Sequence, residues 1–232
     1  VKAFAENKVK KVDVDPKAAL REISKSIRLK RYKDIPPTRV IGVGASTGGP
    51  QALFELFKGF GGTLDVPVLI TQHMPKTFTS ILAEHLAKNT GLPAKEGEDG
   101  EVLKAGVIYI APGDRHMTLK KQGGIPTIVL DDGPKLNFCR PAVDPMFQSL
   151  AELYGNGVVS VMLTGMGQDG LIGAKAITEN GGVCIAQDYD SSVVWGMPGA
   201  VAKAGVCYAV LPLKRMATKL QRLMQGTDNE TV

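Results

Sequence analysis

Val40-Ile41-Gly42-Val43-Gly44-Ala45-Ser46-Thr47-Gly48-Gly49-Pro50 decides the fold. An apolar run ends abruptly in small residues around one hydroxyl. Leu53, Phe54, Leu56 and Phe57 then fall at helical spacing, so the segment reads as strand, tight turn, helix. Gly44-Ala45-Ser46-Thr47-Gly48 fits the G-x-S-x-G elbow, which holds a serine exposed at the tip of a strand. The glycines permit a sharp turn and let a substrate approach backbone N–H groups. The same residues also suit a phosphate cradle. A dinucleotide fingerprint, however, wants a third glycine where Thr47 stands and an acid at the tip of the next strand. That strand, Val66 to Gln72, ends in His73, which suits acyl chemistry better than ribose recognition.

Working outward, strand-like runs at 39–44, 66–72, 107–111, 157–164, 182–187 and 206–210 alternate with helix-like runs at 49–60, 76–90, 144–154, 168–180, 197–204 and 213–224. Apolar strands without polar alternation, separated by amphipathic helices, predict an α/β, doubly wound, mostly parallel sheet with helices on both faces. Met117–Lys120 and Thr127–Leu130, separated by Gly123-Gly124, predict one antiparallel hairpin. Residues 1–37 are polar and end in Ile35-Pro36-Pro37, which marks a boundary; Pro16 to Ile23 is read as a helix or the extension of one. The expected organisation is a basic linker at 1–37, a catalytic domain at 38–225 and a frayed tail at 226–232.

The chain has 232 residues, enough to bury roughly 70% of its unfolded surface without staples. The net charge of +5 is uneven. Residues 1–39 hold 12 Lys and Arg against 5 Asp and Glu, and the remainder holds 16 against 18. A near-neutral body without a basic, aromatic-studded stripe argues against nucleic-acid binding. The basic segment reads as a solvated linker or a docking arm for an acidic partner. Cys139, Cys184 and Cys207 lack metal-ligand spacing, and Cys184 and Cys207 sit in apolar runs, so reduced core thiols and a cytoplasmic location are expected. No run reaches membrane-spanning length, so no membrane insertion is expected. The chain starts at Val1 rather than Met, as a piece of a longer protein would.

In an open parallel sheet, function gathers beyond the carboxyl ends of the strands. The first tip gives Ser46 and the second His73. After Val158–Thr164 comes Gly165-Met166-Gly167-Gln168-Asp169-Gly170, a Gly-rich turn with one carboxylate. A hydroxyl nucleophile, a base and an orienting acid thus occupy three tips of one sheet. Taken alone, Asp169 reads as a cap of the helix at 170–180; its occurrence with Ser46 and His73 at three strand tips favours catalysis. His85 lies within a helix pattern, whereas His116, close to a strand end, is expected to border the site. No H-E-x-x-H or clustered ligand set occurs, so neither metal nor cofactor is expected.

Gly42–Gly49, Gln72-His73-Met74-Pro75 and Leu163–Gly170, with Ile110–Gly113, Arg140-Pro141-Ala142-Val143-Asp144 and Trp195-Gly196-Met197-Pro198, closely resemble the catalytic domain of the CheB chemotaxis methylesterase family, from about Thr38 to Leu220. The resemblance implies hydrolysis of γ-glutamyl methyl esters on methyl-accepting chemoreceptors, and deamidation of receptor glutamines. By motif position it places the nucleophile on Ser46, the general base on His73 and the orienting acid on Asp169. It links Met166 with oxyanion stabilisation; backbone N–H groups near Thr47 and Met166 are the expected oxyanion donors. Arg140 or Arg115 is positioned to meet receptor acids or to form an ordinary surface ion pair. The family's receiver domain has no counterpart here, and residues 1–37 look like the linker that would follow it.

Overall fold

Glycine alternates with branched residues in the first strand, and the packing explains why. In β1 (Val40–Ala45), Ile41, Val43 and Ala45 face one side of the sheet and Val40, Gly42 and Gly44 the other. A Cβ on Gly42 would lie 2.6 Å from Leu150 Cδ1, and one on Gly44 would lie 2.7 Å from Val143 Cγ1. Both glycines therefore let a helix approach the strand, and their free space is already filled by Val143, Phe147 and Leu150. That leaves no cradle for a pyrophosphate, and the dinucleotide reading fails.

The computed structural model of the chain describes residues 21–24 and 26–228. The main sheet has seven parallel strands in the order β3-β4-β2-β1-β7-β8-β9. They are β1, β2 (Val68–Gln72), β3 (Ala94–Glu96), β4 (Ile108–Ile110), β7 (Val158–Met162), β8 (Val183–Gln187) and β9 (Ala209–Leu211). Helices α1 (Gly49–Lys58), α2 (Lys76–Thr90) and α6 (Leu213–Met224) close one face over Ile41, Val43, Ile70 and Val161. Helices α3 (Val143–Tyr154), α4 (Leu171–Glu179) and α5 (Met197–Lys203) close the other over Leu69, Tyr109 and Met162. Burial on both faces is why these strands lack polar alternation. In α6 the buried positions Leu213, Met216, Ala217, Leu220 and Leu223 repeat at the helical period.

The hairpin forms as expected. β5 (His116–Gln122) and β6 (Ile125–Asp131) pair antiparallel around Gly123-Gly124, both with positive φ, and β5 packs on α3. β1 lies between β2 and β7, so the chain leaves it in one direction and returns on its other side. The crevice at such a reversal is where open α/β sheets bind ligands.

Residues before Thr38 pack on this body. Ile27, Leu29, Tyr32 and Ile35 lie against its core clusters, Lys30 Nζ donates to Thr178 O at 2.7 Å, and Tyr32 Oη donates to Gly182 O at 2.7 Å. Packing thus begins upstream of the boundary read at 37/38. Of the helix read at Pro16 to Ile23, residues 21–23 are helical and the rest lies outside the described residues. At the other end, the buried Lys219–Asp228 ion pair at 2.8 Å holds the start of the segment read as a frayed tail. Residues 229–232 lie outside the described residues.

Candidate active site

β1 ends at Ala45, and the chain turns through Ser46 and Thr47 into α1. Gly48 adopts φ 79° at the N-cap, and Val193 packs so tightly there that a Cβ would meet it at 2.7 Å. Only a glycine combines this backbone sign with that approach. Ser46 is fixed by its backbone: its N–H donates to Thr164 O at 3.0 Å, and its carbonyl accepts from Gly49 N and Gln72 Nε2. Among the described residues its hydroxyl has no hydrogen-bond partner, nor do the backbone N–H groups of Thr47 and Met166. The loop after β7 presses onto the elbow, since a Cβ on Gly165 would lie 2.8 Å from Ser46 Cβ. Met166, in that loop, is 74% exposed.

His73 follows β2 and is locked to the elbow. Its N–H donates to Ala45 O at 3.1 Å, and Gln72 Nε2 bridges the carbonyls of Ser46 and His73. Ring Nε2 lies 2.7 Å from Asp169 Oδ2. Nε2–H therefore donates to the carboxylate, and Nδ1 carries the lone pair. Nδ1 lies 3.4 Å from Cys139 Sγ. Burial pushes the Cys139 thiol up, and the negative Asp169 adds to this, so it stays a protonated donor to Nδ1.

Asp169 does not cap the helix behind it: α4 has Gly170 at its N-cap and no side-chain cap. Its carboxylate turns across the crevice to α3, whose N-cap Ala142 offers no side-chain acceptor. Oδ2 accepts from Val143 N at 2.6 Å as well as from His73. Oδ1 accepts from Asn137 Nδ2 at 2.9 Å, Gly170 N at 2.9 Å and Asp144 N at 3.3 Å. Burial alone would raise this carboxyl, whose side chain is 2% exposed. The hydrogen bonds from His73, Val143 and Asn137 outweigh that and hold it below the usual aspartate range. The N-terminus of α3 favours the same charge. Burial raises the neighbouring Asp144 carboxyl, and the charge of Asp169 adds to this, although Gly173 N and Asn137 donate to it at 2.8 and 3.0 Å.

The sheet thus brings Ser46, His73 and Asp169 to the ends of the three central strands, and leaves the other candidates in different settings. His116 is 3% exposed, with Nδ1 accepting from Ala142 N and Nε2 bonded to Pro134 O, so it props the loop beside the site rather than bordering the crevice with a free nitrogen. Arg140 lines the cleft next to His73, but its guanidinium is committed to Asp114 Oδ1 and the carbonyls of Asp132 and Gly133. Arg115 is likewise tied to Asp132 and Leu130 O. His85 is exposed on α2. Cys184 and Cys207 are buried in the core. Among the described residues, no group of three or more His, Cys, Asp and Glu side chains is placed to hold a metal, and no helix is long and apolar enough to cross a membrane. Asn137 is not named in the sequence reading, and Cys139 is named there only as one of three reduced thiols, not as a residue of the site. They reach the site on a loop with no periodicity, and the only local signal was an Asn suited to a left-handed turn.

Comparison with known proteins gives a consistent result. A family model described as CheB methylesterase matches residues 41–220. A protein-glutamate methylesterase/protein-glutamine glutaminase of Rhodopseudomonas palustris (strain BisB5) is 56% identical over 204 residues, which cover 88% of this chain and 53% of that protein. One from Nitrobacter hamburgensis is 58% identical over 189 residues, 81% of this chain and 50% of that protein. The chain spans about half the length of the curated relatives it matches. The crystal structure of the Thermotoga maritima CheB methylesterase catalytic domain superposes with a TM-score of 0.77 at 40% identity, covering 82% of this chain and 99% of that one.

Proposed function

The chain belongs to the CheB methylesterase family, and on that premise we propose that it hydrolyses glutamyl methyl esters on chemoreceptors, with Ser46 as nucleophile, His73 as base and Asp169 as orienting acid. The observation that carries the assignment is a His73–Asp169 pair at 2.7 Å, its carboxylate buried and its ring part-buried, beside an elbow serine whose hydroxyl has no hydrogen-bond partner among the described residues. Asp169 fixes the tautomer with Nε2–H, so Nδ1 is the basic nitrogen. The free enzyme keeps Nδ1 against the Cys139 thiol; the bond to Ser46 closes when substrate seats, as catalytic contacts often do.

Ser46 Oγ then adds to the ester carbonyl as its proton passes to Nδ1. The oxyanion takes the N–H groups of Thr47 and Met166, donors of a kind worth about 3–4 kcal/mol each. Collapse of the adduct breaks the ester C–O bond, and the imidazolium returns its proton to the departing methanol. A water molecule, deprotonated by the same nitrogen, cleaves the glutamyl-enzyme to glutamate and free Ser46. On a glutamine side chain the leaving group is ammonia, and the product is again glutamate. The proposed setting is the cytoplasmic face of chemoreceptors, and the proposed role is adaptation in chemotaxis.

Methanol release from methyl-labelled receptor membranes tests this. The intact chain is expected to release it, and Ser46→Ala to release at least about 10³-fold less, with a melting temperature unchanged because the hydroxyl makes no hydrogen bond among the described residues. Ser46→Ala activity within tenfold of the intact chain would remove Ser46 from the role.

A further inference from the structure

Leu136 and Cys139 exchange both backbone hydrogen bonds, at 3.0 and 2.8 Å, around Asn137 (φ 49°) and Phe138 (φ 63°). A two-residue turn with both central residues left-handed favours Asn first and Gly second. The hairpin between β5 and β6 follows that preference with Gly123 (φ 57°) and Gly124 (φ 85°). In the second turn a phenylalanine stands where glycine belongs, and a bulky side chain is an outlier there. Packing does not compensate, because Phe138 is 98% exposed. The turn is instead held from below, where Asn137 Nδ2 bridges Asp169 Oδ1 and Asp144 Oδ2. A strained residue that the fold does not use, pinned in place by its neighbour, is the kind that persists for function.

Phe138 lines a cleft of about 580 Å³ that opens on His73 and carries three cations, Lys76, Lys135 and Arg140, against one carboxylate, Asp114, which Arg140 pairs at 2.9 Å. Lys76 opens α2, where a positive charge opposes the helix dipole, so helix stability does not explain it. We propose that Phe138 is the anchor that grips the protein segment bearing the ester: an acidic segment whose apolar side chain packs on the ring while its carboxylates face Lys76 and Lys135. Exposed aromatics that become covered are the usual anchors of protein recognition. The inference rests on the esterase reading above and names how its protein substrate is held.

Phe138→Gly tests it, because strain and recognition then move in opposite directions. Relief of the left-handed strain should raise the melting temperature by roughly 2–4 °C. On methylated receptor membranes KM should rise about tenfold or more while kcat changes little. The ratio of receptor kcat/KM to that for p-nitrophenyl acetate should fall by a similar factor. Phe138→Tyr, which keeps the ring, should stay within about twofold of the intact chain in that ratio. A Phe138→Gly ratio equal to that of the intact chain overturns the inference and leaves the esterase reading standing. An intact chain that releases no methanol sinks both. Self-association of the intact chain that Phe138→Gly abolishes would assign the ring to a contact between copies, and would also overturn it.

Discussion

Five donors converge on the Asp169 carboxylate, and only one of them is the histidine ring. On the proposed reading the residue serves two tasks, and a single substitution separates them. In Asp169→Asn an amide N–H meets Nε2, the ring adopts the opposite tautomer, and Nδ1 carries a proton where it should accept one. Turnover should fall by about 10⁴-fold. Asn keeps one acceptor for the N-terminus of α3, so the melting temperature should drop by only a few degrees. Methanol release and thermal melts on the same preparation check this. If turnover stayed within tenfold, Asp169 would be a cap for α3 and nothing more. The dyad was legible because both residues sit next to strand tips, which the apolar runs locate. The partner helix was not: the sequence offers Asp169 to the helix behind it, and the donors of α3 lie 26 and 25 residues away.

Among the elements, α3 and α4 are tied by one buried carboxyl, since Asp144 Oδ1 accepts from Gly173 N. With a folded-state pKa above the ordinary range, Asp144 binds its proton more tightly in the native state than in the unfolded chain. Its contribution to stability is complete below the usual aspartate pKa and is lost as pH rises through the raised one. The melting temperature of the intact chain, minus that of Asp144→Asn, should therefore decline between pH 4 and pH 8. Asp169, with its lowered pKa, contributes stability that is lost only as pH falls below the usual range. A difference that grows with pH would show that Asp144 is ionised without cost. Other elements were legible to different degrees. Residues 76–90 and 213–224 are bounded by Pro75 and Pro212 and repeat at the helical period, and both form helices with those limits. β3, three half-buried residues on an edge, has no apolar pattern to detect. The helix read from residue 168 begins at 171, because Asp169 turns to the crevice and Gly170 adopts φ 86°.

At the scale of the whole molecule, the polar, basic composition of residues 1–37 reads as a solvated linker or docking arm, yet its described part packs partly buried apolar side chains from four positions on the core. A chain beginning at Thr38 is expected to lose about 2 kcal/mol or more of burial, a drop of roughly 4–8 °C in melting temperature. Scanning calorimetry of both chains checks this, and equal melting would support the boundary at 37/38. The strand order has a further consequence, in the time domain. Val40 pairs with Val158, 118 residues later, so the flank of β1 that adjoins the future site has no partner until β7 is made. At ribosomal rates that delay is about 6–24 s. For that interval the nascent chain displays an open, apolar strand edge, which is a template for unwanted pairing. Ser46 and His73 can already be neighbours then, while Asp169 has yet to be synthesised. The last of the three groups therefore arrives with the strand that closes the gap, and on the proposed reading a chain halted anywhere before β7 is both sticky and inert.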